Sequence, residues 1–450
     1  MKNKKLILGI VLLFAFTACA QKYDDEKDFP VELIDGSEAV RIIGYEGTKQ
    51  ELRIPPKIEK MPVTAIGEGA FSGKQLTSAA IPHSVTAVED RAFEKNQLAG
   101  IVIPDSVTVI GAWAFAENHL TSVTIGNHVT GIGERAFSDN QLTGAVIPNS
   151  VTVIGEEAFI NNHLTSVTIG NNVAAIERKT FSNNKLTSVA IPNGVTVIGE
   201  EAFSDNQLAN VTIGNKVEDI GERAFSGNQL TGVTIGSSVV VIESRAFEKN
   251  QLTGVVIPDS VTTIRARAFS GNQLTSVTIG SGVMTIGDEA FSNNKLTAVV
   301  IPHSVTVMGE EAFSHNQLTS AVIGNGLSAI GYAAFSNNQL TSVTIGNRVT
   351  YIEEEAFNNN RLTDVVIPDN VTSIGDYAFS NNQLTSVTIG DGVTEIKYAA
   401  FADNPLTSIT IGADVSVWTS AFDNGFANFY VAQGRMAGTY TYSDDQWNID

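Results

Sequence analysis

The chain has 450 residues, 43% of them apolar, with a formal net charge of −20, 39 glycines and one cysteine. That length allows several ordinary domains or one long repeat array. The charge excludes a nucleic-acid binder, because neutralising phosphates needs a Lys/Arg surplus, and a single cysteine excludes an intrachain disulfide, so stability has to come from burial.

The chain opens with MKNKK, carrying Lys2, Lys4 and Lys5, then the apolar run LILGIVLLFAF and then TAC. A basic start, a short apolar run and small residues before a cut describe a secretory signal. The run is too short to span a bilayer comfortably. The one cysteine, Cys19, sits at the predicted cut. Phe16, Thr17, Ala18 and Cys19 resemble the lipobox of bacterial lipoproteins in its relaxed, spirochaetal form, with Phe16 where the usual pattern has Leu. The resemblance implies that residues 1–18 are removed and that Cys19 becomes an acylated N-terminus. The alternative is an ordinary signal in which Cys19 is incidental. Residues 19–30 are then the acylated cysteine and a short acidic tether. No later apolar run is long enough for a second membrane span.

Repetition governs the rest of the chain. With the leucine of NQLTS as column 1, leucine recurs at every 22nd residue from Leu76 to Leu406, sixteen times. Column 6 is isoleucine throughout, from Ile81 to Ile411. Column 10 is Val except Leu327, and column 13 is Ile except Val88, Met308 and Trp418. Column 18 is Phe from Phe71 onward, and column 21 is Asn except at Lys74. Columns 4 and 6 alternate with small or polar residues at 3 and 5, which is the period of a half-buried strand ended by Gly or Pro at column 7. Columns 10 and 13 fit a second short extended segment, and Ala-Phe at 17 and 18 fills a turn. One unit of this size encloses no core, so units must stack, their strands pairing in parallel at about 4.8 Å per rung. Stacking predicts burial of columns 1, 4, 6, 10, 13, 17 and 18. It also predicts that the column-21 amide turns inward, bonding backbone groups and the same amide one rung on.

The pattern LxxVxIPxxVxxIGxxAFxxN, over about residues 31–450, resembles the BspA-type leucine-rich repeats of treponemal and other bacterial surface proteins. The resemblance implies a mainly β repeat solenoid: a curved, right-handed leucine-rich-repeat superhelix of about sixteen 22-residue rungs, with short parallel strands and little helix. It divides the chain into an N-terminal lead-in segment or cap at 31–62, an array at 63–412 and a C-terminal cap at 413–450. Val63, Ile66, Ala70 and Phe71 slot into columns 10, 13, 17 and 18. After Ile411 the register fails: Trp418 falls in column 13 and Phe422 comes one residue early. The aromatic-rich tail reads as the seal on the last open rung.

No motif carries catalytic chemistry: HExxH, GxSxG, a P-loop and CxxC are all missing from the sequence. An enzyme is therefore the least expected class, with no cofactor. The six histidines fall in loop columns, and His119 and His163, two rungs apart, are too distant to share a metal directly, so no metal site is expected. Column 16 alternates in sign through Arg135, Glu157, Lys179, Glu201 and Arg223, which suits stacked side chains. Arg223, Arg245 and Arg267 then form a small basic stripe, either an acidic-partner site or three solvated arginines.

Columns that never vary are occupied with packing, so specificity lies in those that vary. The outward columns 3 and 5 of the main strand are small and almost uncharged, apart from Asp364. Large aromatics stand in columns 12, 15 and 16: Trp113, Tyr332, Tyr351, Tyr377 and Tyr398. The four tyrosines lie close together on one edge, where they form a candidate partner patch. The family resemblance implies a secreted, surface-exposed protein; the lipobox resemblance adds a lipid anchor, at the outer membrane or cell surface, and the capped ends and dense negative charge make a monomer the expectation. It would bind host or bacterial surface proteins, membrane only through its anchor, and no nucleic acid. The other reading is a structural or self-associating envelope protein.

Overall fold

The computed structural model describes residues 22–449, so the signal segment and Cys19 lie outside the described residues. Each 22-residue unit makes one turn of a solenoid. A three- or four-residue strand covers columns 3–5 or 3–6, and a two-residue strand covers columns 12–13. Strands of successive rungs pair in parallel with a 22-residue offset, as Ser122–Thr124 does with Gly100–Val102 and Ile132 does with Ile110 and Ile154. The second strands form three sheets, interrupted after Ile154 and after Met308. Among the described residues, helix is limited to Phe426–Ala432 and a 3-10 turn at Glu26–Asp28. The chain is thus a mainly β solenoid.

The buried set follows the repeat. Leucine at column 1, Val at 10, Ile at 13 and Ala-Phe at 17 and 18 are almost all without exposed surface. The phenylalanines form one continuous stack from Phe71 to Phe422, neighbouring centroids 4.9–5.6 Å apart and planes within 18°. Such offset stacking adds to area burial. The column-21 amides are buried, as their inward reading requires. Asn140 accepts from the Leu120 N–H at 2.9 Å and donates to the carbonyls of Phe115, Phe137 and Ser138 at 2.9–3.2 Å. Those backbone partners use up the whole amide, so the expected amide-to-amide ladder does not form in this column. It forms one residue earlier instead, on the exposed column 20: Asn183 donates to Asn161 at 2.6 Å, and Asn161 to Asp139 at 2.8 Å.

Column 4 departs from full burial, and the reason lies at column 7. The main sheet falls into short pieces of two or three strands. Every break within the array comes immediately before a rung with proline at column 7: Pro104, Pro148, Pro192, Pro258, Pro302 and Pro368. Where column 7 is glycine the backbones approach closely: a Cβ at Gly126, Gly170, Gly236, Gly280 or Gly346 would come within 2.2–2.5 Å of the carbonyl oxygen of the previous rung's column 7, and at Gly324 and Gly390 the N–H also extends the ladder to Ile301 and Ile367 at 3.0 Å. Proline brings a Cβ and a ring into that space and has no N–H to donate. The column-4 residue on the rung before each break, such as Val123, Val167 or Val277, is only half-buried. Proline was expected to end the strand as glycine does; it also uncouples it from the rung below. Pro82 is the exception, since Ser78–Ala80 still pairs with Glu51–Arg53.

That pairing reveals a turn that the leucine count misses. Glu51–Arg53 is a main strand with Leu52 and Ile54 buried, but a hairpin, Lys57–Ile58 against Met61–Ile66, is inserted before the next column-10 residue, Val63. Phe29 and Tyr45 pack on Phe71 at this end. At the other end Val417, not Trp418, pairs with Ile396, and Trp418 is 52% exposed. One residue fewer after Val415 shifts the register, which corrects the placement of Trp418 in column 13. The last main strand, Ser408–Ile411, is covered by the antiparallel strand Gly438–Ser443, itself paired to Gln446–Ile449. Phe426, Tyr430, Tyr440 and Trp447 cluster beneath it.

Candidate interaction surface

With the invariant columns consumed by packing, the residues free to meet a partner lie on two surfaces. One is the outer face of the main strands. It carries Val102, Val146, Val256, Val300 and Val366, each 63–65% exposed and each in a proline rung. The other is the edge made by columns 14–16, where the chain turns. Column 16 holds left-handed backbone in every rung from Arg91 to Ala399, with φ between 48° and 60°. This conformation orients the side chains so that neighbours one rung apart can meet along the edge.

In the first ten rungs that edge is largely self-satisfied. Glu157 is held by Arg135 on one side and by Arg178 at 2.8 Å on the other, and Glu201 by Lys179 at 3.3 Å and Arg223 at 3.7 Å. Trp113 stands between Arg91 and Arg135, whose guanidinium carbons lie 5.8 and 4.5 Å from its ring centroid. Both cations belong to the same column, so Trp113 is engaged internally, far along the array from the tyrosines. The arginine stripe is mostly spoken for as well. Arg223 pairs with Glu201 and Glu222, and Arg267 with Glu289. Arg245 makes no ion pair among the described residues.

Beyond Glu289 the edge changes character. Columns 14–16 of the next five rungs carry six acids, Glu310 to Asp376, and one base, Lys397. The first ten rungs carry twelve acids and eight bases in the same columns. The net charge is therefore −5 over five rungs against −4 over ten. Among the described residues, none of those six acids makes an ion pair. Tyr332 lies among Glu355, Glu354, Glu311 and Glu310; the Glu355 charge first, then burial, raises its phenol above the usual tyrosine range.

The structure brings together two of the four candidate tyrosines directly. Tyr377 and Tyr398 meet edge to face with centroids 5.3 Å apart. Tyr398 raises the Tyr377 phenol through a side-chain hydrogen bond, with burial adding to it. Tyr351 lies around the turn in column 12, on a groove of 600 Å³ that reaches Lys397, the residue before Tyr398. Tyr332, two rungs before Tyr377, is separated from it by the Glu353–Glu355 rung. The remaining walls of the groove, Glu353 and Glu395 with Thr372, Ser373 and Thr394, were not anticipated. Their signal is a size pattern across rungs: Tyr351, Ser373, Glu395 in column 12 and Glu353, Gly375, Lys397 in column 14. A small rung between two large ones leaves a notch.

Among the described residues, no helix is long and apolar enough to cross a membrane, and no cluster of His, Cys, Asp and Glu is placed to hold a metal.

A family model for the BspA type leucine-rich repeat region matches residues 55–163, 132–253, 175–295, 240–363 and 350–430. No curated protein matches. Among solved structures, a leucine-rich repeat protein from Bacteroides ovatus is 23% identical over 73% of this chain and 96% of its own, with a TM-score of 0.47. A leucine-rich cell surface protein from Faecalibacterium prausnitzii is 21% identical over 87% of this chain and 95% of its own, with a TM-score of 0.41. The pneumococcal vaccine antigen PcpA is 19% identical over 88% of each chain, with a TM-score of 0.32.

Proposed function

The chain belongs to the BspA-type leucine-rich repeat family, and from that premise we propose that it is a cell-surface adhesin, anchored by lipid at Cys19, that contacts host proteins, extracellular matrix or other bacteria. The observation that carries the interaction role is the division of labour between columns. Residues common to all rungs are buried, and most of the residues that distinguish one rung from another, at columns 12 and 14–16, are at the surface, with Glu157, Ala333 and Ala399 among the buried exceptions. A scaffold built this way offers a long surface that varies from rung to rung. The four tyrosines near the C-terminal end form its contact patch, since aromatic anchors dominate interface energetics. Individual contacts are weak, and many anchored copies on one cell supply avidity.

Two measurements test this reading. The variant Tyr332→Ser/Tyr377→Ser/Tyr398→Ser should lose binding to immobilised matrix and cell-surface proteins that the wild type retains, with an unchanged far-ultraviolet spectrum. Equal binding by both proteins would remove the patch. Cys19→Ser should abolish incorporation of labelled palmitate and release the protein from the membrane fraction; retained label would remove the anchor.

A further inference from the structure

Resting on the reading of this edge as a contact surface, we infer that the C-terminal third of the solenoid binds a cationic, arginine-rich extended segment of its partner, seated in the groove between Tyr351 and Lys397 and across the Tyr377–Tyr398 pair.

The molecule contains its own precedent. In column 16 of the first rungs, Arg91 and Arg135 lie over the two sides of Trp113, and Arg135 continues to Glu157. Guanidinium against ring face, then guanidinium to carboxylate, is the local solution when aromatic and acidic residues share this edge. In the C-terminal rungs the aromatics and acids recur on the same edge, but the arginines do not. Tyr377 and Tyr398 are 36% and 43% exposed, and Tyr351 is 51% exposed. No ion pair reaches Glu353, Glu354 or Glu395 among the described residues. A partner that supplies guanidinium groups completes there the arrangement that the chain completes for itself elsewhere.

Shape and charge narrow the ligand. A groove of 600 Å³ is the size of a few side chains, and it opens along the edge rather than into the core. Thr372 and Thr394 already donate their hydroxyls to the carbonyls of Thr350 and Thr372, at 3.0 Å each, so both remain as acceptors. Acceptors, carboxylates and ring faces together favour a donor-rich cation. Lys397 is the only base in the groove and gives an anionic ligand a single contact. The excess of negative charge at this end attracts a basic segment over distance and weakens with salt.

The probe is a fluorescent seven-residue peptide with three arginines alternating with glycine, titrated into the whole protein at low and moderate salt. A matching peptide carrying glutamates is the comparison. Binding of the arginine peptide alone, weakened by salt, is expected. Tyr351→Ser/Tyr377→Ser/Tyr398→Ser and Glu353→Gln/Glu354→Gln/Glu395→Gln should each lower its affinity about tenfold, while Glu134→Gln/Glu200→Gln/Asp288→Asn in the first ten rungs should change it less than about twofold. Failure to bind, equal binding of both peptides, or an equal loss in the last variant would overturn the inference. Should the tyrosine-to-serine variant lose matrix binding while the arginine peptide binds nowhere, the contact patch stands and its cationic partner falls.

Discussion

Fifteen consecutive rungs place a residue other than glycine in left-handed backbone at column 16. That conformation costs an L-residue roughly 1–2 kcal/mol, and a β-branched residue more. None of the fifteen is Val, Ile or Thr. Arg245→Gly should therefore leave the thermal midpoint unchanged or raise it, and Arg245→Val should lower stability by about 1–2 kcal/mol in urea unfolding. The buried amides obey a different constraint. Asn228 supplies partners for the Leu208 N–H and the carbonyls of Phe203 and Phe225. Asn228→Ala orphans a buried donor and two acceptors, and should cost about 2–4 kcal/mol; Asn183→Ala on the exposed column 20, where the backbone is also left-handed at φ 54°, should cost about 1 kcal/mol or less. Calorimetric scans of the two variants would separate them. The inward turn of column 21 was legible because no solvated turn demands one residue type fifteen times. Its exact partners were not, since a 22-letter pattern does not reveal which carbonyls the bend leaves open. Trp113 was legible as a large aromatic on the edge, but its engagement depends on Arg91 and Arg135 one rung away on each side.

At the scale of the strand, proline decides where the main sheet is continuous. Replacing Pro258 with glycine removes the ring, restores an N–H beside Ile235 and should join Gly232–Thr234 to Gly254–Val256. Amide exchange across residues 232–236 should slow in Pro258→Gly, while Gly324→Pro should speed exchange across 298–301; unchanged rates in both would refute the role given to column 7. Strand positions were readable because period-2 alternation and an invariant Ile bracket them. Sheet breaks were not, because Gly and Pro at column 7 both end a strand and differ only in what they offer the neighbouring rung. The turn containing Glu51–Arg53 was hidden by the inserted hairpin, which separates Ile54 from Val63 by nine residues where Ile81 and Val85 are four apart. The tyrosine patch was half readable: column numbers placed Tyr377 and Tyr398 together, but the groove beside Tyr351 exists only when three rungs are stacked.

For the whole molecule, each rung packs chiefly against its two neighbours, so stability is close to a sum of rung and interface terms. Deleting residues 274–295, one complete unit, should give a folded protein shorter by about 4.8 Å along its axis, seen as an unchanged far-ultraviolet spectrum and a smaller radius in solution scattering. Deleting half a unit, 274–284, should abolish folding, because Phe and Asn columns on either side would no longer meet. The same modularity creates a hazard during folding. Rungs that share their buried residues have no buried mark of order, and a chain that skips one rung still satisfies its leucine, phenylalanine and asparagine columns while looping out a single unit at modest entropic cost. Column 16 provides the missing mark. In sequence it sets Arg135 against Glu157, Glu157 against Lys179 and Lys179 against Glu201; a skipped rung would set Arg135 against Lys179, Glu157 against Glu201 and Lys179 against Arg223. Between Arg135 and Arg223 the alternation therefore marks the order of the rungs: each pair contributes little to stability, but leaving out the rung of Glu157, Lys179 or Glu201 sets like charges against each other in column 16.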